Sequence, residues 1–499
     1  VRKSVGHLSK GVAIYGAGEA AMQVVKLLLL AVYVKGGHLI EDDYGALATI
    51  GAIEMLAKLV SRWGLDGAFM RYYHDRPAGG PLERLTSTIV WFTLLANIVV
   101  FGAALAGAAV LANWLFPGTP YLPAFRLMLV NTFLISLTFV PFHVMRLRNE
   151  AATYSALVFA RSAGTVAAQI LLVIGLGWGL TGWFAADFIV TLLLLPVLWR
   201  WFAPLVRWTF SREELARVLR FGLPRLPHGL AQQGLDAGNK LLLKAFIPLN
   251  VLGVYNNGFT IGTGVRFFTS AFETAWAPFY YATAKQPDAQ VVFAKMATYG
   301  LAVLTVIVAV TVAVSRDAIL LLLKAEYLAA VPVIPLIAVG MAMQGVYLLT
   351  SIGLNLTKRT ELYPVATFAA LAVGLGSGVV LMPRFGITGA AIAFLASSVT
   401  QTAVAFTLSR RVYPVHYENG RIARVLVAGV LAARAGLWLV PDWSPLASLA
   451  ARTAVVLATF ASLLLATGFL RKTERAFLIE MQGRWRRNRP AAVPEADAR

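Results

Sequence analysis

Cysteine is absent from the 499 residues, which excludes disulfides, thiol nucleophiles and cysteine-bound metals. Charge is scarce too: Asp, Glu, Lys and Arg make up 14% of the chain, and acidic residues number 24 against 44 basic ones. The six histidines fall at no spacing with acidic residues that suggests a metal site or an activated nucleophile. No catalytic residue, metal site or cofactor is therefore expected, and the chain is not read as an enzyme.

Long polar stretches are also missing. Hydrophobic residues make up 58%, and apolar runs of roughly 20 residues recur along almost the whole length. A soluble chain of this size would divide into domains with alternating polar faces, whereas here the polar residues gather in short clusters between apolar segments. The composition is that of a polytopic membrane protein. A formal net charge of +20 could suggest a nucleic-acid partner, but no basic soluble face and no fold that reads bases accompany it. Basic residues at membrane boundaries have a simpler origin, since cytoplasmic loops retain Lys and Arg.

The spacing predicts helices near 11–34, 44–73, 83–115, 122–146, 151–175, 180–202, 214–240, 250–282, 293–323, 328–356, 361–382, 387–409, 421–440 and 446–470, about fourteen spans. The N-terminus begins like a signal peptide, but Glu19 and Lys26 interrupt its apolar stretch and no A-x-A site follows, so it reads as a retained first helix. With that end in the cytoplasm, basic clusters such as Arg146/Arg148, Arg207/Arg212/Arg217/Arg220, Lys358/Arg359 and Arg410/Arg411 fall on alternate loops. Both termini are then cytoplasmic. The opposite connections are all short and leave no room for a catalytic domain.

A repeat lies about 208 residues apart: Gly177-Trp178-Gly179-Leu180-Thr181-Gly182 returns as Arg384-Phe385-Gly386-Ile387-Thr388-Gly389, and RYYHDRPA at 71–78 is echoed by FYYATAKQPDA at 279–289. A six-helix unit crosses the membrane an even number of times, so its copy enters with the same orientation. The expected fold is all-α, two six-helix bundles (1–208 and 209–418) related by a pseudo-two-fold axis along the membrane normal. An accessory helix pair (419–470) and a basic cytoplasmic tail (471–499) follow. Bundles so related enclose a cleft whose opening can alternate.

Glu54, Lys58, Arg62 and Asp66 recur every fourth position, so on one continuous helix they share a face. Comparable polar stripes are Glu19, Gln23 and Lys26 on the first helix, Arg225, His228, Gln232, Asp236 and Asn239 on the seventh, and Arg266 with Glu273 on the eighth. One reading pairs Glu54 with Lys58 and Arg62 with Asp66 as structural i,i+4 bridges. Against it, Lys26, Lys58, Arg62, Arg225 and Arg266 would together cost on the order of 10 kcal/mol if they faced lipid, which favours a watery cavity. Arg161 and Asp187 read equally as a private pair or as cavity wall, Arg434 and Arg452 as interfacial, and His228 as a packing residue. YGAGEAA at 15–21 imitates a dinucleotide fingerprint, but no strand precedes it and helix packing explains it better. Ser211 and Glu214 are spaced as a capping box. The tail from Arg471 reads as a segment lying on an anionic membrane surface.

The segment LRFGLPRLPHGLAQQGLDAGNKLLLKAFIPLNVLGVYNNGFTIG (219–262), with EDDYGAL at 41–47, RYYHD at 71–75 and the GLTG and GITG turns, resembles bacterial polysaccharide transporters. These are the oligosaccharide flippases of the multidrug/oligosaccharidyl-lipid/polysaccharide (MOP) exporter superfamily. The resemblance implies a protein of the bacterial inner membrane that flips an undecaprenyl-pyrophosphate-linked oligosaccharide for exopolysaccharide, capsule or O-antigen. It implies a cationic cavity at Lys26, Lys58, Arg62, Arg225 and Arg266, whose Lys and Arg side chains hold the pyrophosphate. Membrane lipids, a polysaccharide polymerase and glycosyltransferases are its implied partners, and H+ or Na+ coupling falls to the polar candidates above. One departure bears on coupling: where many relatives carry Asp-Arg late in the seventh helix, this chain has Asn239-Lys240. The rival readings are a lipid II flippase, a cation-coupled multidrug exporter, which calls for carboxylates in the cleft rather than bases, and a non-transporting scaffold for glycan assembly.

Overall fold

A computed structural model describes residues 28–74, 82–148, 150–469 and 471. Among them there is no strand, and ten helices are long and apolar enough to cross a membrane. The protein is all-α and multi-pass. Glu19, Gln23, Lys26 and the tail beyond Arg471 lie outside the described residues.

The first half runs through α1 (28–35), α2 (Glu41–Val60), α3 (Leu65–His74), α4 (Leu82–Ala106), α5 (Ala108–Leu115), α6 (Leu122–Ser136), α7 (Phe139–Leu147), α8 (Ala151–Gln169) with a π-helical extension Ile170–Gly175, and α9 (Gly179–Phe202). The second half follows as α10 (Arg212–Gly222), α11 (Leu226–Lys244), α12 (Leu249–Gly262), α13 (Arg266–Thr283), α14 (Ala289–Leu322), α15 (Val333–Thr350), α16 (Ile352–Leu356) and α17 (Tyr363–Val412). The accessory pair is α18 (Asn419–Leu439) and α19 (Pro445–Ala466), both packed on α14.

The repeat is visible in the backbone. Gly179 and Gly386 both adopt the left-handed region, at φ of 53° and 54°, so each turn needs a residue without a Cβ. Three residues on, a Cβ at Gly182 would press on the Leu172 carbonyl, and one at Gly389 would overlap the Leu381 carbonyl. Gly386 doubles α17 back on itself, and Ser397 Oγ then donates to the Ala370 carbonyl at 3.0 Å. The eleventh and twelfth expected spans are the two arms of this hairpin.

Two expectations need correction. The polar stripe does not lie on one continuous helix: α2 ends at Val60, a turn spans Ser61–Gly64, and Asp66 belongs to α3. Trp63 (φ 54°) and Gly64 (φ 69°) are both left-handed. Trp63 pays for that conformation through tertiary bonds, its Nε1 donating to Asn97 Oδ1 at 3.0 Å, while Asn97 Nδ2 donates to the Ser61 carbonyl and Ser136 Oγ at 2.8 Å each. The seventh and eighth spans are likewise broken, by 3-10 turns at Leu223–Arg225 and Thr263–Val265. Pro224 lies in the first of these and cannot donate a helical hydrogen bond.

The capping box forms by half. Ser211 Oγ accepts from the Glu214 N–H at 3.3 Å, but the Ser211 N–H donates to Thr88 Oγ1 at 3.1 Å, and Glu214 pairs with Arg217 instead. α10 is thereby fastened to α4.

The halves meet along α2. Towards one end, a Cβ at Gly45 would overlap the Leu249 carbonyl and one at Gly253 the Glu41 carbonyl. Towards the other, Gly64 and Gly222 lie backbone to backbone. A branched side chain at the first crossing forces α2 and α12 apart, at a cost of roughly 1–3 kcal/mol. Gly253→Val is therefore expected to reduce the closed population at this end about tenfold. The measurement is a cross-link between cysteines placed at Asp42 and Asn250, which line one small cavity there; an undiminished yield would refute the closure.

Candidate functional site

A cavity of about 580 Å³ opens between the halves. α1 contributes Tyr33 to its wall, α2 Tyr44 and Lys58, α8 Arg161, Thr165 and Gln169, α9 Trp183 and Asp187, and α12 Asn256, Asn257 and Thr260. Apolar runs place these helices in the membrane, and isolated polar residues turn inward because lipid offers them no partner.

Lys58 is about one-third exposed, and its Nζ lies 2.6 Å from Glu54 Oε1. The i,i+4 bridge and the cavity position thus coexist, and the ammonium keeps donors for a second partner. Across the cavity, Arg161 Nη2 pairs with Asp187 Oδ1 at 3.1 Å. Asn131 Nδ2 donates to Asp187 Oδ2 at 2.6 Å, and Thr165 Oγ1 to Oδ1 at 3.4 Å. The two readings of this pair are both satisfied, since it joins α8 to α9 and lines the cavity. Tyr33 and Tyr44 each keep a buried hydroxyl with no protein partner, so the wall retains hydrogen-bonding capacity.

A second polar cluster adjoins the first through Asn256. Lys240 Nζ donates to Asn256 Oδ1 at 2.9 Å and sits 4.7 Å from the Phe259 ring centroid. Asp236, one turn earlier, faces Arg266 Nη1 at 3.8 Å, and its Oδ1 is buried without a partner. Arg266 is 61% exposed, so most of its guanidinium surface is free to meet something else.

The other sequence candidates go elsewhere. Gln232 accepts from Gln401 at 2.9 Å and Thr367 at 3.3 Å, and Asn239 donates to the Ala390 carbonyl at 3.0 Å, so both seal α11 to α17. Arg62 lies 3.5 Å from Asp66, which is also 3.7 Å from His143 Nε2 beside the broken turn. Arg225 stacks at 4.2 Å over Phe221, where α10 meets α3, and does not line the cavity. His228 is half-buried on α11 with Nδ1 unpartnered, and Glu273 is exposed on α13. The structure therefore lines one cavity with Lys58, Arg161, Asp187 and Asn256, while Lys240 bonds Asn256 from α11, where Asp236, partnered by Arg266, lies one turn away.

Sequence reasoning missed Asn256, Asn257, Gln169 and Thr165. Two adjacent amides inside the apolar run GVYNNG were the available signal, since a membrane helix spends polar residues only where they find partners. Arg452 is also corrected: it is buried, not interfacial. Its Nη1 lies 2.7 Å from Asp317 Oδ2 and its Nη2 2.7 Å from Asp442 Oδ1, while Arg316 meets Asp442 Oδ2 at 2.6 Å. Among the described residues, no group of three or more His, Cys, Asp or Glu could hold a metal ion.

The fold is shared with solved transporters. The lipid II flippase MurJ, in an inward closed conformation, superposes with a TM-score of 0.74 at 10% identity, covering 91% of this chain and 99% of that one. An inward-facing multidrug resistance MATE family transporter of the MOP superfamily gives 0.61 at 15% identity, covering 82% and 98%. A MATE structure in the straight conformation gives 0.54 at 15%, covering 84% and 97%. At such identities the likeness is one of fold. No curated protein matches the chain in sequence. The family model described as polysaccharide biosynthesis protein matches residues 39–332, well over half of the chain. With its multi-pass helical architecture and the fold of the MOP transporters, the chain belongs to the polysaccharide biosynthesis protein family.

Proposed function

We infer that the protein is a flippase which carries an undecaprenyl-pyrophosphate-linked oligosaccharide across the bacterial inner membrane by alternating access. The product serves exopolysaccharide, capsule or O-antigen assembly. The observation that carries this reading is the cavity between the halves, where Lys58 and Arg161 meet a wall of amides and hydroxyls. Cations suit the pyrophosphate, and amides, hydroxyls and the Trp183 ring suit sugars. The polyprenyl tail stays in lipid. Family membership supports a glycan as cargo, and MurJ, whose name specifies lipid II, supports a lipid-linked one on this fold.

Basic residues on alternate loops support cytoplasmic termini and hence loading from the inner leaflet, between the glycosyltransferases that build the cargo and the polymerase that consumes it. Asp236, with one carboxylate oxygen unpartnered, is the residue through which an H+ or Na+ gradient would couple.

Reconstitution tests the reading. Proteoliposomes are loaded with a fluorescent pyrophosphate-linked oligosaccharide on a short polyprenol, and leaflet exchange is followed by protection from a membrane-impermeant quencher. Transport of this lipid, with neither an organic cation nor lipid II moved faster, is the expected result. Preference for the cation would make the protein a multidrug exporter, preference for lipid II would reassign the glycan, and no transport of any would leave a scaffold.

A further inference from the structure

We propose that Phe221, gripped by Arg71 and Arg225, is a latch on the cytoplasmic mouth that a phosphoryl oxyanion releases. The two guanidiniums come from opposite halves, Arg71 from α3 and Arg225 from the turn after α10. Both address one ring, at 4.7 Å and 4.2 Å from the Phe221 centroid. Tyr72 meets the same ring edge-on at 5.9 Å. The backbones also meet here, Gly64 against Gly222, and the Arg225 Nη1 lies against Gly67. This mouth cannot part without lifting α3 and its Arg71 from Phe221.

The grip is also conditional. Guanidiniums stack on aromatic faces, but a ring quadrupole holds a cation more weakly than a bidentate oxyanion does. Two like charges converging on one ring also repel each other. Among the described residues Arg225 has no carboxylate partner, so its guanidinium is the one an incoming phosphoryl group can claim. An oxyanion arriving at the mouth draws Arg225 off the ring, and the ring, held then from one side only, leaves the seam. That the oxyanion belongs to the cargo rests on the flippase reading; the latch itself does not.

The chain has no cysteine, so a labelled pair can be introduced without background. Arg146→Cys on the first half and Gln286→Cys on the second are both exposed. They would carry spin labels in phosphatidylcholine nanodiscs. The otherwise unsubstituted protein is expected to give a short distance, and Phe221→Leu, which keeps the apolar bulk but removes the ring, one longer by several ångströms. Millimolar inorganic pyrophosphate should produce the same lengthening, while Arg225→Gln, lacking the closer of the two grips, is lengthened from the start and does not respond to it. A second set with phosphatidylglycerol separates the sources of oxyanion: lengthening without pyrophosphate assigns it to the bilayer, and lengthening only with pyrophosphate to a diphosphate ligand. Identical distances for Phe221→Leu and the parent would overturn the latch. Indifference to both pyrophosphate and phosphatidylglycerol would overturn its operation by anions. Neither result depends on whether the reconstituted protein moves a lipid.

Discussion

Lys58→Glu is expected to leave a normally inserted protein that no longer supports surface polysaccharide, with lipid-linked repeat units accumulating on the cytoplasmic side. Hydrogen bonds from a charged donor contribute about 1.5–3 kcal/mol. Reversal adds repulsion of the pyrophosphate, so a fall of 10²-fold or more in flipping rate follows. Lys58 also pairs with Glu54 at 2.6 Å, so the single variant would place two carboxylates one turn apart. A charge swap separates the two roles. Glu54→Lys with Lys58→Glu restores the ion pair but moves the cation to position 54, which does not line the cavity. If the cation serves the cargo, the swapped protein folds and stays inactive; recovery of export would show that the bridge alone matters.

The largest effect on stability is expected from Asp317→Leu. Asp317 and Arg452 are buried at 3% and 6% exposure and lie 2.7 Å apart, joining α14 to α19. Removing Asp317 leaves the buried Arg452 with only the exposed Asp442 as its partner, so the loss approaches that of a broken buried pair, about 3–5 kcal/mol. Thermal unfolding in detergent should show a clear loss of stability, with proteolysis beginning in the accessory pair. Replacing both, Asp317→Leu with Arg452→Met, should recover most of it, because an apolar pair of similar volume avoids the desolvation cost. A double variant as fragile as the single one would contradict this account. The outer member of the network adds a pH dependence. A hydrogen bond from Arg452, reinforced by the charge of Arg316, holds the Asp442 carboxyl below the usual carboxylate range. A lowered folded pKa means that the contribution is present above the unfolded value, near pH 4, and is lost as pH falls through the folded one. Asp442→Asn should remove that acid limb and leave stability at neutral pH less salt-sensitive.

The sequence made the architecture legible because lipid imposes it: apolar runs must be helices, and basic residues mark one side. The paired glycine turns at Gly179 and Gly386 were readable for a similar reason, as a left-handed φ leaves few substitutes. The site was only half legible. Periodicity reports which face a residue occupies, not what lies opposite. Lys58 and Gln232 look alike in a helical stripe, yet one lines the cavity and the other is claimed by Gln401 and Thr367. The break at Trp63 escaped notice because Asn97, 34 positions away, holds it. Arg452 looked interfacial because its partner Asp317 is 135 residues distant.

The glycine seams along α2 bear on how quickly the molecule can change shape. Surfaces with interlocking side chains separate only after many rotamers reorganise together. Bare peptide against bare peptide, as at Gly45, Gly253, Gly64 and Gly222, offers little to unmesh. One half can thus roll over the other as on an axle, leaving the aromatic and ionic fastenings, rather than the bearing surface, to set the pace of each turnover.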